Sequence, residues 1–389
     1  MDVESTRTGS LGFNTASEEE IKRAAVADVY FHRTMQVLRA EGKERTPVHV
    51  EVVVKSSKFE KWYVLAGLDE VAHLLEDLEI EAHAVPEGTI FHPHEPILTL
   101  SGPYEAFGEH ETAILGLLGQ ASGVATGAAR CRLAAGERTV VSFGARRMHP
   151  AIGPMIERAA YLGGCDGVAE TLGAERIGIQ AVGTLPHALA LILGSTDEAA
   201  QAFDRAVEEE VPRTILIDTF DDEKFGALIA AEAIPESIFA VRLDTPSDRR
   251  GNFGGLIREV RWELERAGFG DVKIFASGGI DENDILELNP YCDAYGVGGS
   301  VAAAPVVDFS LDIVEVNGEP RAKRGKWSGR KRLLELRDGS RKIHPAEAAP
   351  PEGAHDLLQP LSELYASPPD ISVPRERVLE QLATGDYDL

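Results

Sequence analysis

The sequence predicts an α/β protein: a parallel β/α barrel, preceded by an α+β domain and followed by a C-terminal extension. Three observations carry this. From about Thr139 onward, short and almost wholly apolar strand-like runs alternate with helical segments, the pattern of a parallel sheet covered on both faces. Before Thr139 strands and helices are mixed without that rhythm, and after Val301 the alternation stops. Five or more such units make a closed or nearly closed barrel the expected architecture, with an open doubly wound sheet as the alternative.

In order along the chain, an amphipathic helix is expected over Ser17 to Glu41. Strand-like runs follow at HVEVVVK (49–55), WYVLAGL (62–68), IEAHAV (80–85) and ILTLSG (97–102). A helix is expected from His110 to Ala135, and its small-residue half suits close packing against a neighbouring helix or subunit. The barrel strands read as TVVSFGA from Thr139, ILID (215–218), IFAVRLD (238–244), VKIFASG (272–278) and AYGVGG (294–299). Between them lie helical segments such as PMIERAAYLG, EKFGALIAAEAI, GGLIREVRWELERAG and ENDILELN. DFSLDIVEVNGE (308–319) reads as a strand or hairpin leaving the barrel, and ERVLEQL as a final helix. The expected division is 1–125 (N-terminal domain), 126–305 (barrel), 306–335 (a return segment packing on the N-terminal domain) and 336–389 (the extension).

At 389 residues the chain exceeds one ordinary core, so several domains are expected. A net charge of −25, spread along the chain, argues against general nucleic-acid binding and suits an acidic surface in a high-salt, halophilic cytosol. No apolar run approaches the roughly 20 residues that span a bilayer, and the N-terminus lacks a signal pattern, so a cytoplasmic location without membrane partners is expected. Cys131, Cys165 and Cys292 are far apart and suit buried thiols, not a disulfide framework or a zinc site. The basic run RAKRGKWSGRKR (321–332) reads as a local anion clamp or as a solvated face.

Barrel active sites are built where strands end, and here those ends are polar. They carry Arg146 and Arg147, Asp218, Arg242 with Asp244, Ser277 with Gly278, Gly279 and Asp281, and Gly298 with Gly299 and Ser300. The glycine pairs suit phosphate binding because the backbone can approach an anion closely, though tight turns also demand glycine. Asp218, Asp244 and Arg242 suit a sugar phosphate with a divalent metal. In GTLPHALAL (183–191), Thr184 is placed to cap a helix, with Pro186 at its first position and His187 in its first turn. Taken alone, such a histidine is ordinarily a core or capping residue.

The ordered series ADVYFHRT, PEGT, SFGARRMHP, GGCDGV, GTLPHALAL, LIDTF, VRLD, SGGID, YGVGGS and KRGKWSGRK, from about Glu18 to Arg332, resembles nicotinate phosphoribosyltransferase in its compact archaeal form. That resemblance implies an irregular parallel β/α barrel with an N-terminal α+β domain and a C-terminal extension, assembled as a homodimer or higher homo-oligomer with shared active sites. It implies an enzyme that joins nicotinate to phosphoribosyl pyrophosphate, giving nicotinate mononucleotide and pyrophosphate in NAD salvage, with ATP as co-substrate and Mg²⁺ held mainly through substrate phosphates. By the same resemblance Phe143 stacks on the pyridine, Tyr30 stacks from the partner subunit, and Arg146 faces the carboxylate. Arg242, Asp244 and Asp218 contact the phosphoribosyl group, Ser277, Gly278, Gly279, Gly298 and Gly299 cradle phosphate, and His187 is the phosphohistidine.

Ala169 stands where nicotinamide-using relatives carry a carboxylate, which favours nicotinate, with neighbouring Glu170 as the complication. Some archaeal relatives carry a four-cysteine zinc module after SGRK; no cysteine follows Cys292 here, so no zinc is expected. The alternatives are a nicotinamide or quinolinate phosphoribosyltransferase, and a non-catalytic phosphate-binding barrel.

Overall fold

The computed structural model describes residues 13–54, 61–246, 248–367 and 370–389. The first twelve residues of the expected N-terminal domain, and Lys55 at the end of the first expected strand, lie outside the described residues.

The N-terminal region opens with α1 (Glu18–Lys22) and α2 (Val29–Ala40), two helices where the sequence predicts one. Ser17 and Glu20 form a capping box that starts α1. The break follows from a tertiary contact: the His110 ring bonds the Lys22 carbonyl at 3.0 Å, the acceptor a continuing helix would use, and Ala24 turns to φ +57°. Five strands follow: β1 (Pro47–Val54), β2 (Tyr63–Val64), β3 (Glu81–Ala84), β4 (Ile90–Phe91) and β5 (Leu98–Pro103), with α3 (Leu68–Leu75) after β2. The strand expected over 62–68 is cut to two residues because Gly67, at φ +84°, turns the chain into α3. A Cβ at Gly67 would lie 2.6 Å from the Leu117 carbonyl oxygen, so the turn requires glycine.

After the short α4 (Tyr104–Phe107) comes α5 (Glu111–Ala135), the 25-residue spine of the molecule. Its glycines admit the segment around Pro305: a Cβ would meet the Val307 carbonyl oxygen at 2.9 Å from Gly119, that of Pro305 at 2.5 Å from Gly123, and that of Ser300 at 2.9 Å from Gly127. The small-residue stripe is therefore used within the chain. The run Tyr104–Ala135 is long and apolar enough to cross a membrane by length and composition, and 67% of its most apolar window is buried inside the protein.

The parallel sheet comprises β6 (Thr139–Ser142), β7 (Gly167–Val168), β8 (Arg213–Leu216), β9 (Ile238–Leu243), β10 (Lys273–Ala276) and β11 (Ala294–Val297), in the spatial order β7-β6-β11-β10-β9-β8. This is a half-barrel whose edges β7 and β8 do not pair directly. The chain between them spans the gap with single bonds, Val182 N–H to the Val168 carbonyl at 2.8 Å and Leu185 N–H to that of Thr214 at 3.1 Å. Around the sheet run α6 (Gly153–Leu162), α7 (Thr171–Ile177), α8 (His187–Leu193), α9 (Thr196–Ala206), α10 (Glu223–Ala233), α11 (Phe253–Arg266), α12 (Glu282–Leu288) and α13 (Gly299–Ala302). Strands buried on both faces, such as β8, explain the unbroken apolar runs of the sequence.

β12 (Phe309–Val316) then leaves the half-barrel and pairs antiparallel with β1, from Val48 opposite Val316 to Val54 opposite Phe309. With β13 (Glu319–Pro320) and β17 (Gln359–Pro360) it completes a six-stranded sheet, β13-β12-β1-β5-β3-β17, so late strands finish the N-terminal domain. β14 (Lys331–Glu335), β15 (Arg341–Pro345) and β16 (His355–Asp356) form a small separate sheet. After α14 (Leu361–Leu364), α15 (Ser372–Thr384) clasps both halves. Arg375 donates to the carbonyls of Tyr161 and Cys165 on the half-barrel side, and Gln381 donates to that of Gly88 on the other at 2.9 Å. A charge cluster seals the same seam: Arg158 of α6 forks onto Glu87 at 3.0 and 2.8 Å and reaches Asp69 at 3.1 Å.

Candidate active site

The carboxyl ends of β6, β8, β9, β10 and β11 converge, and the residues that close them form one bonded cluster. Arg242, on β9, is its hub. Its Nε donates to Ser277 Oγ at 2.9 Å, Nη1 to Thr184 Oγ1 at 2.8 Å, and Nη2 pairs with Asp244 at 3.1 Å. Ser277 also donates to Asp244 at 2.8 Å. The guanidinium lies 4.8 Å from the centroid of the Phe143 ring, and that ring stacks on Phe275 at 5.8 Å. An arginine held over an aromatic face, with its fork braced on three sides, is a preorganised receptor for a flat anion.

Asp218 lies just beyond β8. Its Oδ2 is 3.4 Å from Thr245 Oγ1, whose hydroxyl donates to Glu223 at 2.7 Å, and its Oδ1 is buried with no hydrogen-bond partner among the described residues. Burial pushes the Asp218 carboxyl above its ordinary range; His187 opposes the shift and Asp244 adds to it. The His187 Nδ1 is 3.0 Å from Thr219 Oγ1, and Nε2 has no hydrogen bond among the described residues. His187 is the first residue of α8, and Pro186, not Thr184, holds the capping position, without a side-chain bond. Thr184 is instead a partner of Arg242, which corrects its expected capping role.

The glycine turns border this cluster. A Cβ on Gly278 would sit 2.9 Å from the Asp244 carbonyl oxygen, and one on Gly298 would be 3.5 Å from that of Phe143. Gly279 and Gly299 are exposed, with open space where a side chain would stand.

Phe143, His187, Asp218, Arg242, Asp244, Ser277, Gly278 and Gly298 thus come together as neighbours. Arg146 lies on an exposed turn (Ala145–Arg147), and neither it nor Arg147 has an ion pair among the described residues. Tyr30 stays apart, on α2 of the N-terminal domain; it is 55% exposed and its ring packs on Phe31 at 4.2 Å. Beside it Glu111 is pushed up to about 7, by burial first and then by Asp312. Asp312 pairs with Lys323 and Lys326 at 2.5 Å each, Lys331 pairs with Glu51 at 2.9 Å, and Arg330 with Glu315 at 2.8 Å. Most of the expected anion clamp is therefore already neutralised by carboxylates of β1 and β12. Among the described residues Arg321 and Arg324 have no ion pair.

Sequence reasoning gave Thr184 the wrong role and missed Thr219, Thr245 and Gly296. A Cβ on Gly296 would lie 2.5 Å from the Phe143 ring, so this glycine makes room for the ring. Its signal was present: Gly296 sits inside β11, on one face with Ala294 by the two-residue period of a strand, and a glycine inside an apolar strand marks a close approach. The same period hid the threonines, whose hydroxyls matter only through neighbours distant in sequence.

The quinolinate phosphoribosyl transferase N-terminal domain matches residues 28–122, and the C-terminal domain of the same family matches 124–312. The chain belongs to the quinolinate phosphoribosyl transferase family. The nicotinate-nucleotide pyrophosphorylase of Pyrococcus furiosus, a solved structure, is 50% identical with a TM-score of 0.93, over 96% of this chain and 98% of that one. Human nicotinic acid phosphoribosyltransferase shares the fold at 21% identity, with a TM-score of 0.72 over 92% of this chain and 93% of that one. Among curated relatives, nicotinate phosphoribosyltransferase pncB1 of Mycobacterium tuberculosis is 32% identical over 66% of this chain and 58% of its own length. The nicotinate phosphoribosyltransferase of Bacillus subtilis is 30% identical over 57% of this chain and 46% of its own length. The chain thus spans about half the length of these curated relatives.

Proposed function

We propose that the chain is a nicotinate phosphoribosyltransferase, acting in NAD metabolism. The observation that carries the reading is Arg242 held against the Phe143 ring at 4.8 Å, beside Asp244, Ser277 and the glycine turns. Nicotinate is a flat ring with one carboxylate, and an aromatic face plus a braced arginine suits both features. This geometry favours Arg242 as the carboxylate partner, in place of Arg146, to which the resemblance gives that role. The carboxylate of Glu170 accepts from Leu172 N–H at 3.0 Å and Gly173 N–H at 2.6 Å, so it is committed to capping α7, which supports reading Ala169 as the specificity position.

In the reaction the pyridine nitrogen attacks the anomeric carbon of phosphoribosyl pyrophosphate; the new C–N bond forms as the C–O bond to pyrophosphate breaks. No proton moves, so no general base is needed. Asp218 and Asp244 stabilise the positive charge that develops on the ribose. Mg²⁺ would be carried mainly by the substrate phosphates, with Asp218 or Asp244 as a supplementary ligand. Mg²⁺ would supply neutralisation of the departing pyrophosphate.

His187 would accept a phosphoryl group from ATP at Nε2 and lose it to water, coupling ATP hydrolysis to turnover. Tyr30, remote from Phe143 within the chain, would serve the site of a second copy, in a homodimer.

Turnover of nicotinate, nicotinamide and quinolinate, measured side by side with phosphoribosyl pyrophosphate, tests the reading; turnover of nicotinamide alone overturns it. Incubation with labelled ATP should give acid-labile label on the parent and none on His187→Ala. Label retained by the variant removes His187 from the mechanism. Quinolinate is the second reading, favoured by the matched family and by Arg146 and Arg147, two cations without ion pairs among the described residues that would suit a second carboxylate. Release of CO₂ together with nucleotide from quinolinate would select it.

A further inference from the structure

The Gly278–Ile280 turn lies at the mouth of the half-barrel, just beyond β10. Gly278 has φ +92° and Gly279 φ +79°, and a Gly-Gly pair rotates its peptide planes at little cost. The N–H groups of Gly278, Gly279 and Ile280 have no hydrogen-bond partner among the described residues, and successive free amides in such a turn make an anion-binding concavity. One flipped peptide would turn a carbonyl oxygen into that concavity and repel a phosphate.

Two side chains restrain the carbonyls at its ends. Arg250, with a side chain only 10% exposed, donates from Nη1 to the Gly278 carbonyl at 3.0 Å. It is fixed in turn by the Phe253 ring at 4.7 Å and by Asp284 at 3.5 Å. Ser300, on the facing glycine turn, donates to the Ile280 carbonyl at 2.7 Å and ties the two turns together.

We propose that Arg250 and Ser300 are positioning residues for the phosphate-binding turn, acting through the carbonyls of Gly278 and Ile280. This rests on the reading of that turn as a phosphate cradle. Neither residue needs to touch the ligand: Arg250 has its guanidinium committed to the fold, and Ser300 carries no charge. Their effect is on the donor, phosphoribosyl pyrophosphate, and not on the pyridine, whose receptor is built from Phe143 and Arg242.

The test is calorimetric titration of the full-length protein with phosphoribosyl pyrophosphate and Mg²⁺, together with KM for nicotinate, in the parent, Arg250→Met, Arg250→Lys and Ser300→Ala. Arg250→Met and Ser300→Ala should each weaken donor binding about tenfold, with KM for nicotinate changed by less than about twofold. The loss should be the same at low and high salt, because a positioning role does not act by long-range charge. Arg250→Lys, which keeps one donor for the Gly278 carbonyl, should recover part of the affinity. Unchanged donor binding in both variants, alongside normal binding by the parent, overturns the inference and leaves the cradle reading standing. Loss confined to the arginine variants and abolished by salt also overturns it, since the guanidinium would then be binding phosphate directly. A parent that binds no donor removes the cradle reading and this inference with it.

Discussion

Gly296→Ala isolates the role of the Phe143 ring better than any change to the ring itself. Gly296 is a buried residue of β11 whose backbone lies outside the left-handed region, so alanine is conformationally acceptable there. The new methyl would stand 2.5 and 2.6 Å from two ring carbons of Phe143 and 3.1 Å from Ser277 Cβ. Carbon atoms pack at about 3.5–4.0 Å, so the ring must retreat by about 1 Å or more. It cannot do so freely, because Phe275 stacks on it and Arg242 lies against it.

Overpacking of this kind costs about 1–3 kcal/mol of stability, a loss a protein of this size can survive. A displacement of about 1 Å at the receptor costs catalysis about 100-fold. The assay is kcat/KM for nicotinate with saturating donor, beside donor affinity by calorimetry and a thermal melt. The expected result is a fall in kcat/KM of about 100-fold with donor affinity nearly kept and a folded melt. A folded Gly296→Ala protein with unchanged kcat/KM for nicotinate would refute the placement of the pyridine on Phe143.

Three further outcomes follow from the same structure. Arg242→Ala should lower kcat/KM by about 100- to 1,000-fold, because it removes the braced cation and leaves Asp244 and Ser277 without their partner; steady-state kinetics read this directly. Arg158→Met should destabilise the seam by about 3–5 kcal/mol, since it strands Glu87 and Asp69, and a denaturant titration measures the loss. His49 is 6% exposed and burial holds its pKa down at about 4, against an ordinary 6.5. Protonation therefore favours the unfolded chain: stability is full above pH 6.5, falls between 6.5 and about 4, and is reduced by about 3 kcal/mol below that window. His49→Gln should flatten that part of the pH–stability curve, as followed by urea midpoints at a series of pH values.

The alternation of apolar strands with helices after Thr139 is a local property, and it placed β6, β8, β9, β10 and β11 within a few residues of their positions. Polar strand ends were equally legible: Arg242, Asp244, Asp218 and Ser277 stand out because a charge closing an apolar strand needs a partner. The sequence was also enough to mark the run after Val301 as leaving the barrel, and its three cysteines as widely separated. It misjudged the breaks. One long helix became α1 and α2 because His110 captures the Lys22 carbonyl, a contact made across 88 positions of sequence.

What only the tertiary structure decided is who partners whom. Placing β11 between β6 and β10 sets Gly296 beneath Phe143, and no periodicity states that order. The return of β12 onto β1 brings Asp312, Glu51 and Glu315 to the basic run and spends its charge, so a segment that reads as an anion clamp is largely an internal ion-pair seam. The reason is physical: hydrophobic periodicity records which face of an element is buried, through near neighbours alone. Ion pairs, ring stacks and close backbone approaches depend on distances between elements far apart in the chain, and those exist only once the sheets have chosen their order.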